Sequence, residues 1–217
     1  MRLHHHFRTG IQSAQTRRHG LSRARRFYTF RRKSTIMQQT HNTLDKSIRE
    51  QSVTILNHHL AAAIDLHAQV KQAHWNVRGP GFLAIHELFD KTAEEVEKYS
   101  DMLAERAGNL GGTAQGTLPV VVGRSFMVPY PLGIADVDPH LFAVSAALAA
   151  FAQSAREAID TTDEIGDKVT ADLFTEIVRG LDQDLWFVES HLPPKTEEST
   201  RGAAKSAAKA PAKGRGR

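Results

Sequence analysis

The sequence predicts an all-α fold: four long helices in an antiparallel bundle, with a long crossover between the second and the third. Three observations carry this. Apolar residues recur at spacings of three and four along four long segments, Gly and Pro gather between those segments, and no segment alternates with the period of two that marks a strand. Of the 217 residues 41% are apolar, the share of an ordinary globular chain, so one sizeable core is available.

The first helix is expected from about Leu44 to Val77, with Leu56, Leu60, Ile64, His67, Val70, His74 and Val77 along one face. Arg78-Gly79-Pro80-Gly81 stops it. The second runs from about Phe82 to Gly108 on the stripe Ile85, Phe89, Val96, Leu103 and Leu110, and so short a turn makes the two helices antiparallel neighbours. Residues 109–138 contain five glycines and read as the crossover, with one short helix near Gly123 to Val128. A crossover of that length returns the chain to the far end of the bundle. The third helix is expected after Asp138-Pro139, on Leu141, Val144, Leu148, Phe151 and Ile159. Gly166 breaks it, and the fourth runs from about Lys168 to Leu192 before Pro193-Pro194. The domain limits that follow are a basic, disordered extension over 1–43, a helical body over 44–194 and a disordered tail over 195–217.

Charge divides the chain in the same places. Residues 1–36 hold ten Lys and Arg and no acid, and residues 201–217 hold six and no acid. The stretch between them carries twelve bases against all 24 acids, a net charge of −12. Absence of cysteine excludes a disulfide scaffold, a cysteine zinc site, an iron–sulfur cluster and a thiol nucleophile. The longest mainly apolar stretch, Leu141 to Ala152, is 12 residues, short of the roughly 18 that span a bilayer. Any redox chemistry therefore falls to histidine and carboxylate.

Those residues concentrate where the first two helices meet. His74 stands in the last turn of the first helix, and His86 and Asp90 stand at i, i+4 at the start of the second. Residues four apart share a helix face, and across the short turn His74 can face them. Asp101 and Glu105 repeat the i, i+4 spacing further along. Imidazole with carboxylate suits iron, manganese or zinc. Yet His86 and Asp101, fifteen residues apart on one helix, are separated by roughly 22 Å and cannot share an ion within one chain. A two-fold axis crossing this helix antiparallel to its copy would bring Asp101 and Glu105 of one subunit to His74, His86 and Asp90 of the other. A solvated helix face is the plain alternative for Asp101 and Glu105, and a packed core residue for His67.

Several motifs resemble the Dps family, the DNA-binding proteins from starved cells, also called miniferritins. They are Gln72-Ala73-His74-Trp75-Asn76-Val77-Arg78-Gly79, His86-Glu87-Leu88-Phe89-Asp90, Asp101-Met102-Leu103-Ala104-Glu105-Arg106 and Leu110-Gly111-Gly112, with Tyr130-Pro131-Leu132 and Leu185-Trp186-Phe187-Val188-Glu189-Ser190. The resemblance spans about residues 44–192. It implies a ferritin-like four-helix bundle assembled as a hollow dodecamer, with ferroxidase centres at two-fold interfaces. In such a centre His74, His86 and Asp90 come from one subunit and Asp101 and Glu105 from its partner. Two Fe(II) ions bind there, hydrogen peroxide takes their electrons, and the ferric product is stored. Trp75 is either a radical sink, as the resemblance suggests, or a packing residue.

Around this centre Lys71, one turn before His74, is expected to pair with a site carboxylate. Asp163, Asp167 and Asp172, about the break before the fourth helix, are pore candidates drawing Fe(II) inward, with a solvated turn as the alternative. In the tail, Arg201, Lys205, Lys209, Lys213, Arg215 and Arg217 form a spaced cationic segment suited to sequence-independent DNA binding. Twelve tails would supply about 72 positive charges to one shell. The first 36 residues fit an organelle transit peptide, a second basic arm, or translated sequence upstream of a start at Met37. The last is favoured, because Met37 stands a few residues before the first helix. A cytoplasmic, nucleoid-associated protein is the expectation, and a DNA-compacting shell whose metal site is vestigial or holds zinc is the alternative function.

Overall fold

The computed structural model describes residues 37–192. Among them are five helices: α1 Lys46–Asn76, α2 Phe82–Asn109, α3 Leu118–Arg124, α4 Val137–Glu164 and α5 Lys168–Glu189. α1 packs along α2 and α4 along α5, and the two pairs join through α1 against α4 and α2 against α5. The short α3 lies in the crossover and packs on α1.

Local chemistry explains the boundaries. Gly81, at the N-cap of α2, has φ 74°, a left-handed conformation that glycine adopts without strain. Gly166, with φ 92°, turns the chain between α4 and α5. Asp167 then caps α5, accepting from the Thr170 amide at 3.1 Å and the Thr170 hydroxyl at 2.5 Å. α4 begins at Val137, two residues earlier than expected, so Pro139 sits inside its first turn, where a missing N–H costs no helical bond.

The short crossover helix is Leu118–Arg124, not a helix near Gly123 to Val128. Pro119 starts it, and an extended Ser125, with ψ 133°, ends it. α5 stops at Glu189, three residues short of Leu192, where the Ser190 amide bonds to the Trp186 carbonyl. Residues 37–43, assigned from the sequence to a disordered extension, instead pack on the end of α2. The Gln38 amide donates to the Gly111 carbonyl at 2.7 Å, Asn42 Nδ2 to the Asn109 carbonyl at 3.4 Å, and Arg49 Nη1 to the Leu110 carbonyl at 3.0 Å. Residues 1–36 and 193–217, which carry the remaining extension and the basic tail, lie outside the described residues.

One continuous core fills the bundle. Phe89, Leu103, Leu148, Phe151, Phe174 and Leu181 are fully buried, and truncating one of these to Ala costs about 2–5 kcal/mol. α1 buries more than its single predicted stripe, since Ala61, Ala62 and Ala63 are all inaccessible between neighbours on three sides. Two of its buried polar side chains, Asn57 and His59, are bonded to neighbouring elements. Asn57 donates to the Val53 and Thr113 carbonyls and accepts from the Gln115 amide, which fixes the start of the crossover. His59 Nδ1 bonds to the Ile55 carbonyl at 2.9 Å, and its Nε2 lies 3.2 Å from the Ser154 carbonyl and 3.1 Å from the Ser154 hydroxyl. At the opposite end of α1 the Arg78 amide donates to the Ala135 carbonyl at 2.8 Å, tying the α1–α2 turn to the start of α4. Among the described residues no helix is long and apolar enough to cross a membrane.

Candidate metal centre

His74 and His86 face each other across the α1–α2 turn, their rings stacked at 3.8 Å. His74 Nδ1 donates to the His86 carbonyl at 2.8 Å, and His86 Nδ1 donates to the His74 carbonyl at 2.9 Å. A carbonyl can only accept, so the proton of each neutral ring is fixed on Nδ1. Each Nε2 keeps its lone pair for a metal. The two backbone turns thus orient both imidazoles before any ion arrives, as outer-sphere partners do in metal sites.

Asp90 completes this end. Its Oδ1 lies 3.7 Å from His74 Nε2 and accepts from Lys71 Nζ at 2.6 Å. The Lys71 hydrogen bond, with the positive surroundings, holds the Asp90 carboxyl below the usual carboxylate range. Lys71 Nζ also stands 5.9 Å from the centre of the Trp75 ring, and Trp75 is 65% exposed. Two imidazoles whose Nε2 lone pairs make no hydrogen bond among the described residues and one anionic carboxylate form a donor set that fits a ferrous ion, yet three such groups from one chain leave it incomplete.

Asp101 and Glu105 stand on the exposed face of α2, about four turns away. Among the described residues neither makes a hydrogen bond or ion pair, and no three His, Asp or Glu side chains gather around one point that could hold a metal ion. The structure therefore brings His74, His86, Asp90 and Lys71 together and leaves Asp101 and Glu105 apart from them within one chain. Beside Glu105, Arg106 turns inward: its Nε donates to the Thr170 hydroxyl at 2.9 Å and its Nη2 to Asp167 Oδ1 at 2.8 Å.

That contact corrects one pore candidate. Asp167 is 2% exposed and committed to Arg106 and Thr170, so it cannot line a pore. Burial alone would raise its pKa, but the Thr170, Ser52 and Arg106 contacts outweigh burial and keep the carboxyl low. Asp163 and Asp172 are exposed on either side of the same turn. The DNA-binding candidates Arg201 to Arg217 fall outside the described residues.

Two groups escape the sequence reading. Tyr130 Oη lies 2.6 Å from His140 Nδ1, linking the crossover to the first turn of α4. The adjacent Tyr130-Pro131 and Pro139-His140 pairs hint at an ordered segment, but nothing in their spacing brings the two side chains together. Asp184 on α5 is buried with Oδ2 unpaired among the described residues, beside Glu95 and Lys98 of α2; burial raises its pKa to about 7.

Comparison with known proteins gives consistent matches. The ferritin-like domain family model matches residues 53–193. The "DNA protection during starvation protein" of Agrobacterium fabrum is 42% identical over 158 residues, covering 73% of this chain and 98% of the relative. DpsC from Streptomyces coelicolor superposes with a TM-score of 0.71 at 32% identity, over 77% of this chain and 98% of that one. Dps from Microbacterium arborescens, solved in a high-iron form, superposes with a TM-score of 0.64 at 32% identity, over 69% of this chain and 97% of that one.

Proposed function

Because the chain belongs to the Dps family of ferritin-like proteins, we propose that it is a ferroxidase and iron store that also binds DNA. In this reading the subunits form a hollow dodecamer. His74, His86 and Asp90 of one subunit meet the partner subunit's Asp101 and the partner subunit's Glu105 at a two-fold interface. The observation that carries it is the division along α2: an oriented imidazole pair where its first turns meet α1, and two exposed carboxylates without partners among the described residues roughly 22 Å away. An antiparallel crossing of two such helices supplies each half-site with the other.

The chemistry follows from the donors. Two Fe(II) ions are the substrate. They give one electron each to hydrogen peroxide, which takes two protons and leaves as two waters, while two Fe(III) remain for storage. The carboxylates favour ferric over ferrous iron by charge, and the neutral imidazoles hold position without adding charge. Lys71 supplies the positive charge that Asp90 holds before iron arrives. Consuming iron and peroxide together removes both reactants that form hydroxyl radical.

Mixing two inactive variants tests the shared site. His86→Ala and Glu105→Gln are each expected to slow peroxide-driven Fe(II) oxidation by about 100-fold, to near-inactivity. Unfolded and reassembled together, they should recover about one quarter of the wild-type rate, because each mixed dimer regains one intact centre. No recovery from a shell that reassembles would place all ligands within one chain and end this reading. Running the same trace with dioxygen in place of peroxide ranks the two oxidants.

DNA binding rests on the tail. Six cations per chain, repeated around a shell, give sequence-independent and salt-sensitive attraction to phosphate, and place the protein on the nucleoid in the cytoplasm. Removing residues 201–217 should lower both DNA affinity and the steepness of its salt dependence. Unchanged retention on DNA would assign the binding elsewhere.

A further inference from the structure

We propose that Tyr130 and His140 form a proton-coupled electron donor that reduces one-electron oxidants escaping from the iron site. The inference rests on the iron and peroxide chemistry proposed above. Tyr130 Oη and His140 Nδ1 are 2.6 Å apart, a short hydrogen bond. His140 is 1% exposed and Tyr130 is half-buried, so the pair is sealed from water on the imidazole side.

Burial keeps both partners uncharged. Desolvation lowers the His140 pKa and raises that of Tyr130, so the imidazole is neutral and the phenol keeps its proton. In the tautomer that carries its ring proton on Nε2, the phenol O–H donates to Nδ1. Nε2 is buried without a hydrogen bond of ordinary length, and the Ile134 and Asn76 backbone groups act on the ring in favour of its charged form. A base is thus aligned on the phenol, with backbone groups beside it that favour the cation it would become.

Position supplies the second argument. Asn76 is two residues from His74, and the Arg78–Ala135 backbone bond closes the same end of the bundle. Trp75, the other oxidisable ring there, is 65% exposed, and its indole N–H meets no base among the described residues. Of these two rings, Tyr130 alone has an acceptor for its leaving proton among the described residues.

The step balances simply. Hydroxyl radical takes one electron from Tyr130 and becomes hydroxide, which a solvent proton converts to water. The phenol proton moves to His140 Nδ1, leaving a neutral tyrosyl radical beside an imidazolium. Fe(II) returns the electron and becomes Fe(III), and the proton moves back to the phenol oxygen. Stray oxidant is spent on iron that the shell retains.

Freeze-quench electron paramagnetic resonance on the full chain, after mixing with Fe(II) and peroxide, reads the radical directly. Wild type should show a tyrosyl signal that Tyr130→Phe removes. His140→Gln keeps an acceptor for the phenol hydroxyl but cannot take its proton, so formation of the signal should slow by about 100-fold and lose its solvent isotope dependence. A purely structural pair would leave the signal unchanged in His140→Gln, and a tyrosyl signal that survives in Tyr130→Phe would overturn the assignment. Hydroxyl radical generated by pulse radiolysis on iron-free protein separates the two claims. A Tyr130-dependent signal there supports the pair even if iron oxidation fails, and its absence there overturns the pair even if iron oxidation is rapid.

Discussion

His86 and Asp90 at the start of α2 are held from two sides, whereas Asp101 and Glu105 near its end stand in solvent. The first end is oriented by reciprocal backbone bonds to His74 and by Lys71. At the second end, the residue beside Glu105 is fixed instead: Arg106 is locked to Asp167 and Thr170 inside the bundle. In the proposed reading, one helix thus carries a half-site whose ligands are prearranged, and a second half-site whose ligands are bare while the backbone beneath them is anchored. Stability and metal chemistry are separated at the far end, to neighbouring residues on opposite faces.

That separation is broken most severely by removing the anchor. Asp167→Ala leaves the Arg106 guanidinium buried without its carboxylate and removes the cap of α5, so a loss of about 3–5 kcal/mol is expected in denaturant melts. The folded-state pKa of Asp167 is depressed, so its contribution is present above the ordinary carboxylate range and fades as the pH falls through the folded value. A variant as stable as wild type would mean the Arg106 pair anchors nothing.

The complementary change leaves stability alone. Asp101→Asn or Glu105→Gln should slow peroxide-driven Fe(II) oxidation by about 100-fold while melting with the wild type, since neither carboxylate has a partner among the described residues. Stopped-flow absorbance and a thermal melt on the same sample decide this. Coupled losses in both readouts would mean that the two faces of this end are not independent.

The comparison also shows what was readable in the residues. The spacing of His74, His86 and Asp90 places them at one turn, and fifteen residues of helix separate His86 from Asp101, so the grouping of the first three and the distance of Asp101 and Glu105 from them follow from pattern and length. Asp167 does not. An acid beside a glycine turn reads as solvated, and only the fold reveals that Arg106 reaches it from another helix. The short helix was misplaced for a related reason: Pro119 and Ser125 set its ends, while apolar residues on both sides suit a helix equally. Residues 37–43 look like a polar extension, yet they bond to backbone carbonyls that α2 leaves open at its end, which side-chain composition does not encode.

Midway between its two ends, α2 meets α5 at Asp184, and here the charge is unsupported. Its folded pKa of about 7 lies above the ordinary 3.8, so the folded state binds the extra proton. Stability should therefore be fully present below about pH 4 and decline as the pH rises toward about 7. Glu95 and Lys98 face this carboxyl from α2 with opposite effects. Asp184→Asn should flatten the decline and stabilise the chain by on the order of 2 kcal/mol at pH 8. An unchanged pH profile would remove Asp184 as its cause.

The smallest effect tests the contact one turn earlier. Glycine in mid-helix ordinarily costs up to about 1 kcal/mol against alanine, yet Gly180 stands in the middle of α5. The Tyr99 hydroxyl lies where a Cβ at position 180 would be, so the helix gives up propensity to let α2 approach. Gly180→Ala should destabilise by about 1 kcal/mol net, as overpacking outweighs the propensity gained. Tyr99→Phe removes the obstructing oxygen, and in that background the same Gly180→Ala change should become neutral or stabilising. A double-mutant cycle in urea measures the coupling, and simple additivity would show that the hydroxyl is not what holds position 180 to glycine.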